Sequence, residues 1–343
     1  MTRQLTMQQA VLEAISEEMR RDPTVFMMGQ TVNEGDDWCN PGISTLVREF
    51  GSDRLRPTGL IERFEAGAGV GAALAGARPI IDLVTGAFST LAHDEIFSKA
   101  GMWCYEHGRN GGMTIPIVFR VPYSAYGTSG PEHSRAPLAS YMHGPGLKVV
   151  VPSNQYDAKG LLKTAIRDDN PVIFMEPGVA WGRPRFANMT VPEEEYLVPF
   201  GQAAVVRGGT DCTVAAVGFQ VSMALEAADL LAASDISLEV IDLRTLEPLD
   251  IGTVVESVRR TGHLVECDED FVRCGIGAEL GFQVQDLAFD ALKAPIARVA
   301  PRVPAPASPV LNREVMPSAQ KIVEAVVKTV SYKKLSSRGT AAV

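Results

Sequence analysis

Two carboxylates, Glu62 and Glu65, stand at the head of a stretch otherwise built from small apolar residues, TGLIERFEAGAGVGAALAG from Thr58 to Gly76. Burying a charge in such surroundings is costly without a partner, so each carboxylate is either structural or handles protons. The glycines and alanines predict a helix packed tightly against a neighbouring backbone, because repeated glycine is a poor choice for an isolated helix. Its N-terminal end favours negative charge and would set Glu62 near a pocket or a subunit boundary. Pattern alone leaves Glu62 between a helix-capping carboxylate and a catalytic acid. A second candidate is His133, held between Glu132 and Ser134 in a Gly, Ser and Pro-rich loop, Tyr123 to Arg135. The pattern puts that loop at the C-terminal edge of a sheet, where ligands of open α/β folds bind. A solvent-facing histidine is the alternative. Phe88, at a strand-to-helix junction, reads on pattern as a core aromatic.

The elements that must position these residues are legible as alternating strands and helices. A first helix carries Val11, Ala14, Ile15 and Met19, and a buried strand runs from Thr24 to Met28. A polar loop from Asn33 to Pro41 precedes a short helix at Ser44 to Phe50. Strands follow at Pro79 to Val84, Ile115 to Val121, Leu147 to Pro152 and Pro171 to Glu176, with a helix from Asp157 to Ile166 capped by Asp157. Such alternation predicts an α/β fold with a mainly parallel sheet covered on both faces. Periodicity fades from Gly178 to Gly201, which reads as a linker. It restarts with strands at Thr213, Leu238 and His263 and helices at Val221, Ile251 and Gly277. The expected division is 1–190, 191–330 and a disordered tail 331–343.

Composition narrows the partners. The 343 residues are 46% apolar and 21% charged, with 32 basic against 41 acidic side chains and a net charge of -9. No general attraction for nucleic acid or an anionic membrane follows. The charged N-terminal segment lacks the apolar core of a signal peptide, and no apolar run approaches membrane-spanning length, so the expected location is cytoplasmic. Five cysteines (39, 104, 212, 267, 274) and five histidines are dispersed, without zinc spacing or HExxH. A protein-held transition metal is not expected.

Two long stretches carry a resemblance: HGPGLKVVVPSNQYDAKGLLKTAIRDDNPVIFMEP, His143 to Pro177, and DLRTLEPLD, Asp242 to Asp250. From about Thr6 to Val327 the chain resembles the beta subunit of the thiamine-diphosphate-dependent decarboxylating component of 2-oxoacid dehydrogenase complexes, of the pyruvate, branched-chain or acetoin type. The resemblance implies a pyrimidine-binding domain followed by a transketolase C-terminal-type domain. It implies that Glu62 meets the cofactor's aminopyrimidine ring and favours the imino tautomer whose nitrogen deprotonates the thiazolium carbon. A carboxyl group with a raised pKa suits this task. Phe88 then packs on the pyrimidine, Leu60 lies beside the cofactor, and His133 steadies the 2-oxoacid carboxylate or assists acyl transfer to lipoamide. Glu65 is the weaker candidate, since the family usually has an apolar residue there. A structural potassium ion is implied at Ile117, Ala165, Asp168 and Asn170, although Asp168 alone reads equally as a turn residue.

The departures cluster at the rim. Glu132 and Arg135 replace glutamines, Gly29 to Val32 replaces glycine followed by acids, Gly86 an aromatic, and Gly59 with Leu60 a proline and isoleucine. These imply an altered substrate. No GlyAspGly diphosphate motif occurs, so magnesium and the diphosphate would be held by a separate alpha subunit in an α2β2 assembly. A lipoyl-bearing acyltransferase and a small 2-oxoacid or acetoin are the further implied partners. Two alternatives remain open: a carboligating or transketolase-like two-chain enzyme, and a non-catalytic scaffold paralogue.

Overall fold

The computed structural model describes residues 2–38, 40–123, 125–178 and 190–333. Cys39, the core of the expected linker and the tail from residue 334 lie outside the described residues.

The first domain is built on a seven-stranded sheet in the order Thr245–Glu247, Lys148–Val150, Val172–Pro177, Val118–Tyr123, Arg78–Asp82, Val25–Gly29, Leu55–Pro57. All neighbours are parallel except the first pair, in which Thr245–Glu247 runs antiparallel. Its central strands are buried throughout, as their apolar runs require of a parallel sheet covered on both faces. The second sheet has five strands, Ala297–Val299, Leu264–Cys267, Cys212–Ala216, Leu238–Asp242 and Ala204–Arg207, of which only the last is antiparallel. A small ribbon pairs Thr2–Gln4 with Thr190–Pro192.

Thr245–Glu247 belongs in sequence to the second domain but completes the edge of the first sheet. One apolar core accordingly runs from Val149 and Val151 through Leu243 and Leu246 to Ala215 and Val217. Polar bridges cross with it: Ser153 donates to Asp242, and Arg244 pairs with Asp157 at 2.8 Å.

Two expectations change. The helix after Lys148–Val150 runs from Gln155 to Arg167 and is capped by Asn154, whose side chain accepts from the Asp157 amide at 2.9 Å, so Asp157 is not the cap. The helix Glu62–Leu74 is buried on one face only, by Glu62, Glu65, Ala66, Gly69, Val70 and Ala73. On that face the packing is as tight as its composition predicts. A Cβ at Gly69 would lie 2.6 Å from Ile81 and 2.9 Å from Ile117, so only glycine lets the helix sit this close to the sheet.

Candidate functional site

Glu62 is the first residue of its helix and is only 7% exposed. Among the described residues it makes no hydrogen bond and no ion pair. The N-cap, Ile61, has no side chain able to cap, so the helix end is left to the carboxylate and to whatever binds there. A buried polar group without a partner is an exception that needs a cause, and a ligand is one such cause. One turn on, Glu65 is fully buried; its Oε1 accepts from the Thr58 hydroxyl and its Oε2 has no partner. Burial pushes the Glu65 carboxyl up to about 7, the Thr58 hydroxyl opposes the rise, and the charges of Glu62 and Asp82 add to it.

This helix packs on the turn Phe88–Ala92 and on the π-helical segment Glu95–Met102 that follows it. Arg63 pairs with Glu95 across the contact at 3.2 Å. A π-helical stretch is an uncommon local geometry that recurs at functional sites. Phe88 begins the turn, half-buried, and His133 meets it edge-on with ring centroids 4.9 Å apart. Two candidates 45 positions apart in sequence are thus brought together. His133 ends a short helix, Gly130–His133, and its ring lies 3.8 Å from Glu132.

The loop bearing His133 is held from the second domain. Asn312 donates to the Ala125 carbonyl at 3.1 Å, Tyr126 to the Pro317 carbonyl at 2.7 Å, and the Ala139 amide to Asp270 at 2.8 Å. The second domain therefore fixes the position of a candidate residue that the first domain carries.

Leu60 faces outward, 79% exposed, in company with Ile61, Phe64 and Leu91. The four lie on the start of the Glu62 helix, on the residues just before it and on the turn packed against it, an apolar exposure that water does not favour.

The residues implied for a potassium ion have protein partners already. The carbonyls of Ile117 and Ala165 accept from the amides of Val172 and Asp168 at 2.9 and 3.3 Å. Asp168 takes the Asn170 side chain at 2.8 Å on one oxygen and the Lys148 ammonium on the other. Among the described residues no group of three or more His, Cys, Asp and Glu is placed to hold a metal ion.

A buried charge cluster escaped the sequence reading. Arg120 donates to Asp82 Oδ2 at 2.9 Å and makes a two-pronged bond to Glu176, with Oε2 at 3.0 Å; Asn40 adds a bond to Asp82 at 3.1 Å. All three charged groups are at most 1% exposed. Burial opposes the Arg120 charge, but Glu176 and Asp82 outweigh it and the guanidinium holds its proton more firmly than usual. Each is a lone charge in an apolar strand, PIID, VFRV and VIFMEP, and that was the available signal.

Fold and site together define an α/β chain with a buried carboxylate, Glu62, that has no partner among the described residues, and an aromatic, Phe88, met edge-on by a histidine. The family described as the transketolase pyrimidine-binding domain matches residues 3–179, and the transketolase C-terminal domain matches 201–322. The chain is 42% identical over 332 residues to the pyruvate dehydrogenase E1 component subunit beta of Rickettsia felis, covering 96% of this chain and 99% of that one. It is 42% identical over 338 residues to the acetoin:2,6-dichlorophenolindophenol oxidoreductase subunit beta of Cupriavidus necator, covering 96% and 98%. Among solved structures, a split-gene transketolase described as an inactive beta4 tetramer shares the fold with a TM-score of 0.78 at 22% identity, over 96% of this chain and 99% of that one. The chain belongs to the transketolase-like family of 2-oxoacid dehydrogenase beta subunits and their acetoin-oxidising relatives.

Proposed function

We propose that this chain is the beta half of a thiamine-diphosphate-dependent 2-oxoacid dehydrogenase, acting in oxidative decarboxylation with acyl transfer to lipoamide. The observation that carries this reading is the state of Glu62: buried, at a helix N-terminus and unpaired among the described residues. When bound, thiamine diphosphate supplies the nucleophilic carbon and the electron sink of the reaction. The residues fit its aminopyrimidine end. Glu62 would share a proton with a ring nitrogen, and Phe88 would cover the ring face beside His133. His133, half-exposed at the mouth, would meet the substrate carboxylate or the transferred acyl group. Glu65, its carboxyl pushed up to about 7 by burial, would carry less negative charge beside Glu62 near neutral pH than an ordinary carboxylate does.

The chain supplies half a site. The exposed rim of Leu60, Ile61, Phe64 and Leu91 supports an alpha subunit seated there, which would bring the magnesium and diphosphate ligands of an α2β2 assembly. A division near residue 190 into cofactor-facing and transketolase C-terminal-like domains belongs to the same reading. A potassium ion at Ile117, Ala165, Asp168 and Asn170 would have to displace the Lys148 ammonium from Asp168, so the donor set fits it only with that side chain moved aside. Acetoin is the second substrate class, favoured by the likeness to an acetoin oxidoreductase beta subunit. Among the described residues no helix is long and apolar enough to cross a membrane, and the cytoplasmic location stays part of the proposal.

Calorimetry with thiamine diphosphate and magnesium tests the reading, on the chain alone and mixed with its alpha-type partner. Binding only in the mixture, followed by 2-oxoacid-dependent acylation of lipoamide, is the expected result. Tight binding to the lone chain would overturn the split site, and no binding in either sample would leave the scaffold paralogue.

A further inference from the structure

His133 and Arg135 are two positions apart, yet the structure sends them to different places. His133 meets Phe88, whereas Arg135 lines a cleft of about 590 Å³ between the two domains. None of Glu62, Phe88 and His133 lines that cleft. Its volume is in the range of sites for metabolite-sized ligands.

The walls are preformed. From the first domain comes the segment Ala125 to His143, tied down by Asn312 and Asp270 as described; from the second come Glu269 to Cys274 and Pro301 to Ala305. The Val272 amide donates to the Pro301 carbonyl at 2.9 Å and joins those two segments. Pro131, Pro137, Val303, Pro304 and Met316 give the lining its apolar part.

Five charged or titratable groups besides the thiol of Cys274 line the cleft: Arg135, Arg273, His143, Glu269 and Asp270. Glu269 is nearly buried and Asp270 partly so. Asp270 accepts the amides of Phe271 and Ala139 at 2.7 and 2.8 Å, and Glu269 is 4% exposed. Arg135 and Arg273 are exposed and, among the described residues, make no hydrogen bond or ion pair. Arg135 bears on Asp270 through charge alone, without an ion pair, and two guanidiniums lining a largely apolar cleft match an oxyanion head, which they can hold by short charge-assisted bonds, followed by an apolar body.

The geometry points to a binding site for an organic carboxylate with an apolar or aromatic body in this interdomain cleft, its head on Arg135 and Arg273. This explains why position 135 carries a charge. Because the cleft is walled by both domains and by the loop that bears His133, its occupant would stiffen that loop.

Calorimetric titration of the full-length chain with 4-phenylbutyrate, its neutral alcohol analogue 4-phenylbutan-1-ol and inorganic phosphate tests the site. The expected result is one site per chain, with the carboxylate at least about tenfold tighter than the alcohol and than phosphate. Arg135→Gln combined with Arg273→Gln should abolish that preference while leaving the melting temperature unchanged, since both side chains are exposed. As a check on location, phenylbutyrate should slow alkylation of the exposed Cys274, mapped by mass spectrometry, in the parent chain and not in the double variant. Equal affinity for acid and alcohol, phosphate binding as tight as phenylbutyrate, insensitivity to the double substitution, or no binding up to about 10 mM would each overturn the proposal.

Discussion

Two groups of buried acids lie in the first domain and are treated in opposite ways. Asp82 and Glu176 close on Arg120, with Asn40 filling a further bond, so that this cluster has no room for a newcomer. Glu62 is nearly as buried but meets no donor among the described residues, and Glu65 behind it has one oxygen bonded and one bare. A protein that leaves a buried carboxylate unpaired beside a fully paired one forgoes stability locally, and such exceptions gather where ligands bind. Pairing, more than burial, separates the structural acids from the candidate catalytic one.

The largest expected effect sharpens this contrast on the open side. Glu62→Gln in the assembled enzyme should lower turnover by about 10²- to 10⁴-fold, the range of a lost proton-handling group, with the melting temperature and assembly intact. A variant that unfolds instead would put Glu62 among the structural acids. On the closed side the expected loss is one of folding. Arg120→Met strands two buried carboxylates and should cost about 3–5 kcal/mol, read by urea denaturation; a neutral outcome would show that the cluster is dispensable.

Glu65 sits between these extremes and is best separated by pH. Its carboxyl is raised from 4.5 to about 7, so the folded chain favours the protonated form. The resulting penalty is absent below the unfolded value, grows as pH rises between the two, and is complete above about 7. Glu65→Gln removes the ionisable group and should raise stability at pH 8 by an amount on the order of 3 kcal/mol, with no gain at pH 4. A gain independent of pH would mean that the carboxylate is not what the fold resists. The smallest effect belongs to packing: Gly69→Ala drives a Cβ toward Ile81 and should cost about 1–3 kcal/mol in thermal melts.

Much of this was legible in the sequence for a physical reason. Parallel strands buried on both faces read as short apolar runs, and the helices between them read by period, so the α/β architecture follows from spacing. Glu62 stood out because a charge in a small-residue segment has few innocent explanations. The same logic applied to Asp82, Arg120 and Glu176 would have disclosed the closed cluster, but their pairing joins three strands that are distant in sequence. Thr245–Glu247 was not legible as a strand of the first sheet, since a three-residue segment takes its place from a partner nearly a hundred positions away. Nor was the parting of His133 and Arg135. In a loop without period, the side on which a residue lands is set by what the second domain grips.

That donated strand has a consequence for how the chain is made. Lys148–Val150 leaves the ribosome with one side of its backbone unpaired, and Thr245–Glu247, which covers it, follows about a hundred residues later. At ordinary rates of synthesis the nascent first domain waits roughly 5 to 20 s with an open sheet edge, a template for pairing with a neighbouring chain. The first half of this protein is therefore finished by the second, and a message truncated between the two would yield a product inclined to aggregate.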